Sequence, residues 1–132
     1  MMTALTDQDK MAIAAKYCEA SRANDGAAML ALSAPDAIVW HNFDGAEADM
    51  AHTVKTLAWV HRTAKDLAWK DVHLQATSTG FIWQALMTGI APGGSLLVNT
   101  CIVVILNEHG LITRLDEYLD STSTAVLRVR VR

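Results

Sequence analysis

Apolar residues recur at one spacing in the first half of this chain and at another in the second, and the switch near residue 65 restricts the fold more than any single motif does. Upstream the spacing is helical. Thr6-Asp7-Gln8-Asp9 has the form of a helix cap with acids in the first turn, and Met11, Ala14, Tyr17, Cys18 and Ser21 repeat along one face. A first helix is predicted from about Asp7 to Ala23, ended by Asn24-Asp25-Gly26, and a short second one from Ala27 to Leu32. Ser33-Ala34-Pro35-Asp36 then turns the chain into a strand, Ala37 to Asn42. Beyond the polar loop Phe43-Asp44-Gly45, Met50, Val54, Leu57, Ala58 and His61 mark a third helix within Ala46 to Ala64. Downstream the period is two. Leu67 to Thr79, Phe81 to Ala91, Leu96 to Asn107 and Leu111 to Asp120 read as long strands joined at Gly80, Pro92-Gly93-Gly94 and His109-Gly110. Hairpin-linked strands with one oily face must cover it, so helices first and a meander last imply an α+β fold, the helices packed on one face of a curved antiparallel sheet.

The size of the chain fits that plan: 132 residues suit one domain, 1–132, large enough to bury a core. Hydrophobic residues at 52% against charged residues at 19% exclude a disordered chain. The net charge of −3 is scattered except at Arg128-Val-Arg-Val-Arg132, which reads as a solvated tail, so nucleic acid is not an expected partner. Cys18 and Cys101 lie in apolar contexts without metal or redox spacing and read as free buried thiols in a reducing compartment. With no leader pattern and no run of about 20 apolar residues, no membrane association and a cytoplasmic location are expected.

One residue then stands out chemically. Along Gly110-Leu-Ile-Thr-Arg-Leu-Asp-Glu-Tyr-Leu-Asp120, alternation puts Thr113, Leu115, Glu117 and Leu119 on the oilier face and Ile112, Arg114, Asp116 and Tyr118 on the other. A carboxylate facing a core is costly unless neutralised or put to use.

The whole order of elements, with Asp36-Ala-Ile-Val-Trp-His-Asn42, the Asn24-Asp25 break after Tyr17 and the closing strand, resembles the nuclear transport factor two-like superfamily in its SnoaL-like branch. That resemblance implies a cystatin-like roll, a cone-shaped sheet wrapped around three N-terminal helices, whose mouth admits a small apolar ligand. Its members include ketosteroid isomerases, polyketide cyclases and epoxide hydrolases as well as non-catalytic modules, so the chemistry must come from the site. On strand alternation the pocket set comprises Gln84 and Leu86, Asn99 and Cys101, and Glu117 with Leu119. From the first strand either Val39 and His41 or Ile38, Trp40 and Asn42 face in. The outer face, with Trp83, Ala85, Met87, Ile102 and Val104, is expected to close a homodimer sheet to sheet.

Within the superfamily, Tyr17 stands eight residues before Asp25, as does the oxyanion-binding tyrosine of ketosteroid isomerases, and their general base falls on His41. Their second oxyanion acid falls on the apolar Cys101-Ile102-Val103. Limonene-type epoxide hydrolases share an acid at Glu117, but Gln84 and Leu86 occupy the places of their arginine and companion acid. A polyketide cyclase asks only for an acid/base group in an oily pocket, which Glu117 with His41 would meet.

Two classes of function follow. One is a cofactor-free isomerase, cyclase or hydratase for a small hydrophobic molecule, with Glu117, His41 and Tyr17 catalytic and Trp40, Asn42, Gln84, Leu86, Asn99, Cys101 and Leu119 binding substrate. The other is a module of the same fold that binds a small molecule or dimerises without catalysis. Each residue also has a plain structural account: Glu117 anchored to Gln84, Asn99 or Tyr17, His41 bonded within its loop, Tyr17 and the four tryptophans packed in the core or on a subunit face. His52, His61, His73 and His109 lack the i, i+4 pairing of a zinc helix, and no metal is expected.

Overall fold

The computed structural model describes residues 4–129. The first helix, α1 (Asp7–Arg22), opens on a capping box in which Thr6 Oγ1 accepts from Asp9 N and Asp9 accepts from Thr6 N. It stops because Asn24 enters the left-handed region at φ 54°, and Asp25 then caps α2 (Gly26–Ala31) by accepting from Ala28 N. Strand β1 (Ser33–His41) begins four residues earlier than the proline-containing turn suggested. A short strand β2 (Glu47–Asp49) occupies the expected start of the third helix, and α3 (Met50–Thr63) begins only where Asp49 accepts from His52 N. The meander follows as β3 (Lys65–Ala76), β4 (Gly80–Ala91), β5 (Gly94–Leu106) and β6 (Ile112–Leu119), with a 3-10 helix at Ser121–Arg128.

The six strands form one sheet in the order β2-β1-β6-β5-β4-β3. All neighbours are antiparallel except β1 and β6, which run parallel with Val39 opposite Leu115 and His41 opposite Glu117. That parallel pair is possible because the helix α3 and the whole meander form the crossover between its two strands. It also brings the first strand's end against the last strand's only inward acid.

Two apolar clusters fill the concave side. One joins α1 and α2 to the sheet through Tyr17, Met29, Phe81, Trp83 and Leu115, and the other joins α3 to the far ends of β4 and β5 and to the 3-10 helix through Val60, Met87, Val98 and Leu127. Lys10 pins α1 to the β3–β4 turn by donating Nζ to the Thr77 carbonyl at 2.7 Å, which satisfies its own nearly buried ammonium. His61 Nε2 meets the Ser21 carbonyl at 2.9 Å and so ties α3 to α1. No helix among the described residues is long and apolar enough to cross a membrane. Of the basic tail, Arg128 bonds Thr124 from within the 3-10 helix, and residues 130–132 lie outside the described residues.

Several orientations differ from expectation, and they share one cause. Trp83, Ala85, Met87, Ile102 and Val104, expected on the outer face, are buried against the helices. Gln84, Leu86, Asn99 and Cys101, expected inside, line a groove on the opposite side with Asp71, His73 and Tyr118. Both faces of β4 and β5 carry apolar side chains, so alternation gives the period of these strands but not its phase. The phase is set by pairing: Glu117 stands opposite Ile102, and Ile102 opposite Trp83, so these three share a face. Ile112, expected outside, is fully buried, because the β5–β6 register slips between Ile105 and Leu106. Cys101 is half-buried on the outer side, whereas Cys18 is buried as expected and its thiol is pushed up to about 12 by burial.

Candidate active site

A cavity of about 180 Å³ opens at the seam of the two apolar clusters. Tyr17 and Ser21 from α1 and Thr53, Leu57 and Val60 from α3 form one wall, Trp83, Ile102, Glu117 and Leu119 form the sheet side, and Thr124, Leu127 and Arg128 bring in the 3-10 helix. The lining is mostly hydrocarbon, as in small-molecule sites that orient a ligand with a few polar groups.

The two titratable groups on the sheet side, His41 and Glu117, stand at one level of it. Straight across the strands run His41 of β1, Glu117 of β6, Ile102 of β5 and Trp83 of β4. His41 Nε2 lies 3.2 Å from Glu117 Oε1, and each side chain keeps only about a fifth of its surface in solvent, 21% and 23%. The contact with the Glu117 carboxylate raises the His41 pKa above its ordinary value, against the opposing effect of burial, with Asp44 adding a smaller attraction. Phe43 lies against the imidazole with ring centroids 5.3 Å apart.

Farther in, Tyr17 is 2% exposed, and its hydroxyl meets the Met50 sulfur at 3.9 Å. Burial first, and then the negative charge of Glu117, push its pKa up, so it stands as an O–H donor throughout the working pH range. Trp83 packs edge-on to it, with centroids 6.1 Å apart, and the buried Trp83 Nε1 has no hydrogen-bond partner among the described residues.

Glu117, His41, Tyr17 and Leu119 are therefore brought together at the cavity, and the open choice on the first strand falls to Val39 and His41. Trp40 turns to the outer face, where its ring meets Tyr118 at 5.4 Å. Asn42 spends its side chain in the backbone seam: Oδ1 accepts from Leu119 N and its own N–H donates to the Glu117 carbonyl. Gln84, Leu86, Asn99 and Cys101 are separated from the cavity by the thickness of the sheet. The side chains that replace them inside, Trp83, Ala85 and Met87, supply neither an arginine nor a second acid. Trp59, Trp69 and Trp83, expected as packing or subunit-face residues, line the cavity, as does the 3-10 helix, whose short apolar repeat carried no sequence signal strong enough to place it.

No protein-family model matches the sequence, and no curated protein matches it either. Solved structures do match in shape. A nuclear transport factor two-like protein from Burkholderia xenovorans LB400 superposes with a TM-score of 0.75 at 15% identity, over 91% of this chain and 95% of the other. This chain has the nuclear transport factor two-like fold. The BvnE pinacolase of Penicillium brevicompactum shares that fold with a TM-score of 0.74 at 11% identity, covering 91% of this chain and 92% of the other. A steroid delta-isomerase from Pseudomonas aeruginosa shares it at 0.66 and 13% identity, covering 94% and 90%. Identities this low carry the nuclear transport factor two-like architecture alone.

Proposed function

We propose that this chain is a cofactor-free acid/base enzyme that isomerises, cyclises or hydrates a small hydrophobic molecule. The reading rests on one observation, the His41–Glu117 pair at 3.2 Å in the wall of a mostly apolar cavity. A carboxylate with one oxygen at an imidazole has a second oxygen to offer a substrate. Glu117 takes a proton from carbon beside a carbonyl, the C–H electron pair moves onto the carbonyl oxygen, and Tyr17 donates its O–H to the resulting enolate. Return of the proton at another carbon completes an isomerisation. The His41 imidazole occupies one Glu117 oxygen and leaves the other to carry the proton from one carbon to the next. That a steroid delta-isomerase and a pinacolase share the fold is consistent with such chemistry.

Deuterium uptake tests the proposal. In heavy water, the protein should catalyse exchange of the α-protons of some member of a panel of small cyclic ketones and lactones, read by mass spectrometry, and Glu117→Gln should lose it. Exchange absent throughout the panel, with ligands still bound, would leave the binding module as the better reading.

The outer face supports a second proposal, a homodimer formed sheet to sheet through different residues from those first expected. Leu97, Tyr118, Ile105 and Ile38 are exposed by 58%, 44%, 38% and 37%. Pairing puts all four on the convex side. Exposed apolar side chains on one sheet face, set around the Arg114–Asp116 pair, support self-association through that face.

A further inference from the structure

Among the described residues, Arg128 is the only arginine or lysine in the cavity lining, and acid/base chemistry at Glu117 gives it nothing to do. The other ionisable side chains there are accounted for: His41 and Glu117 lie 3.2 Å apart, and Tyr17 keeps its proton. Arg128 meets no carboxylate within ion-pairing distance among the described residues, and its Nη1 donates to Thr124 Oγ1 at 3.1 Å. Thr124 Oγ1 gives its own proton to the Ser121 carbonyl at 2.8 Å, so towards the guanidinium it can only accept. A guanidinium has further N–H donors, set in a fork that suits a carboxylate. Arg128 is exposed, and a residue that is both exposed and part of a cavity lining stands at the rim, within reach of a solute.

The fold fixes where this cation stands. Leu127 is buried in the cluster with Val60, Met87 and Val98, and the Val126 carbonyl accepts from Gly93 N at 2.9 Å in the β4–β5 turn. A Cβ at Gly93 would lie 2.9 Å from both the Cα and the carbonyl oxygen of Val126, closer than side chains come, so a glycine is what lets the 3-10 helix sit down on the turn. Thr124, Leu127 and Arg128 are thereby held along the cavity. An apolar cavity of about 150 Å³ can take up benzene, so the 180 Å³ here suits roughly one ring, with any charge left at the rim.

We infer that the ligand is a small keto acid: a single apolar ring that carries a ketone for Glu117 to work beside and a carboxylate that Arg128 holds at the rim. The ketone half rests on the acid/base reading, and the carboxylate half rests on Arg128 alone. A second carboxylate brought into a cavity that already holds Glu117 is repelled unless a cation offsets it, and Arg128 is that cation. It acts as a specificity-determining residue, because a neutral ring of the same size fills the cavity and leaves the guanidinium to water.

The test pairs 4-oxocyclohexanecarboxylate with 4-oxocyclohexanecarboxamide, a neutral ring of nearly the same shape. Binding of each is measured by calorimetry, and deuterium uptake at the carbons beside the ketone by mass spectrometry. The acid should bind roughly five- to thirtyfold more tightly than the amide, between the worth of an exposed ion pair and that of a charge-assisted hydrogen bond. Arg128→Gln should erase that preference, and Arg128→Lys, which keeps the charge and loses the fork, should retain part of it. Equal affinity of the wild-type chain for acid and amide, or a preference for the acid that survives Arg128→Gln, would overturn the inference whatever the exchange shows. A preference that depends on Arg128, with no exchange of either ring, would keep the anionic ligand and remove the acid/base reading. Equal exchange of both rings with equal affinity would keep the acid/base reading and remove the carboxylate. Binding of neither ring would remove the single-ring keto acid itself.

Discussion

Asp116 and Glu117 are adjacent in sequence and lie on opposite faces of one strand, with almost the same side-chain exposure, 25% and 23%. Burial does not separate them; their partners do. Asp116 Oδ1 accepts from Arg114 Nε at 2.8 Å, and the same guanidinium reaches Glu47 at 3.9 Å on β2, so the outer acid faces a cation that never gives up its proton. Glu117 faces an imidazole, which can. One pair fastens the edge of the sheet, and the other can store and release a proton beside a cavity. On the proposed reading, this strand carries a structural and a chemical carboxylate one residue apart.

The sharpest way to break this contrast is to remove each charge without changing shape. Glu117→Gln should slow the deuterium exchange proposed above by about 10²- to 10⁴-fold, the usual loss for an acid/base group, whereas Asp116→Asn should change it by less than about twofold. Equal losses would mean that the two acids serve the fold alike.

Packing should divide the two faces in the same manner. Phe81 is fully buried on the concave side, and Ile105 is 38% exposed on the convex one. By urea unfolding, Phe81→Ala should cost about 3–5 kcal/mol and Ile105→Ala less than about 1 kcal/mol. A similar cost for both would show that something covers the convex face in solution.

How much of this could be read in the sequence follows from the same two faces. Helix ends were legible where chemistry is local, in the Thr6 cap and the Asn24-Asp25 break. Glu117 and His41 were legible because a polar residue in an apolar run is conspicuous. The phase of β4 and β5 was not, since Trp83 and Gln84, or Ile102 and Cys101, are equally compatible with alternation until a partner strand picks one. Choosing the polar member as the pocket residue put Gln84 and Asn99 inside and turned the real lining outward. The parallel β1–β6 pairing, which brings His41 to Glu117, joins residues 76 positions apart and leaves no local trace.

The convex face gives the next test. Leu97→Glu puts a charge at the most exposed large apolar side chain there. If two copies pair through this face, sedimentation should show the dimer constant falling by at least about tenfold, since a buried unpaired charge is strongly disfavoured. An unchanged mass at every concentration would place any self-association elsewhere.

The smallest effect is the pH dependence that Glu117 imposes on His41. The carboxylate, helped by Asp44, raises the folded pKa of His41 above its unfolded value of about 6.5. A raised folded pKa means that the folded state holds the proton more tightly, so this contribution to stability is complete below the unfolded value and fades as pH rises through the folded one. Replacing Glu117 by Gln removes the attraction, so the His41 ring signals should titrate at lower pH in the variant, and the stability difference between the two proteins should narrow from about pH 6 towards pH 8. His52, His61, His73 and His109 are common to both proteins and cancel in that difference. A His41 titration indifferent to residue 117 would reduce the 3.2 Å contact to proximity, and the proton would have to be held elsewhere in the cavity.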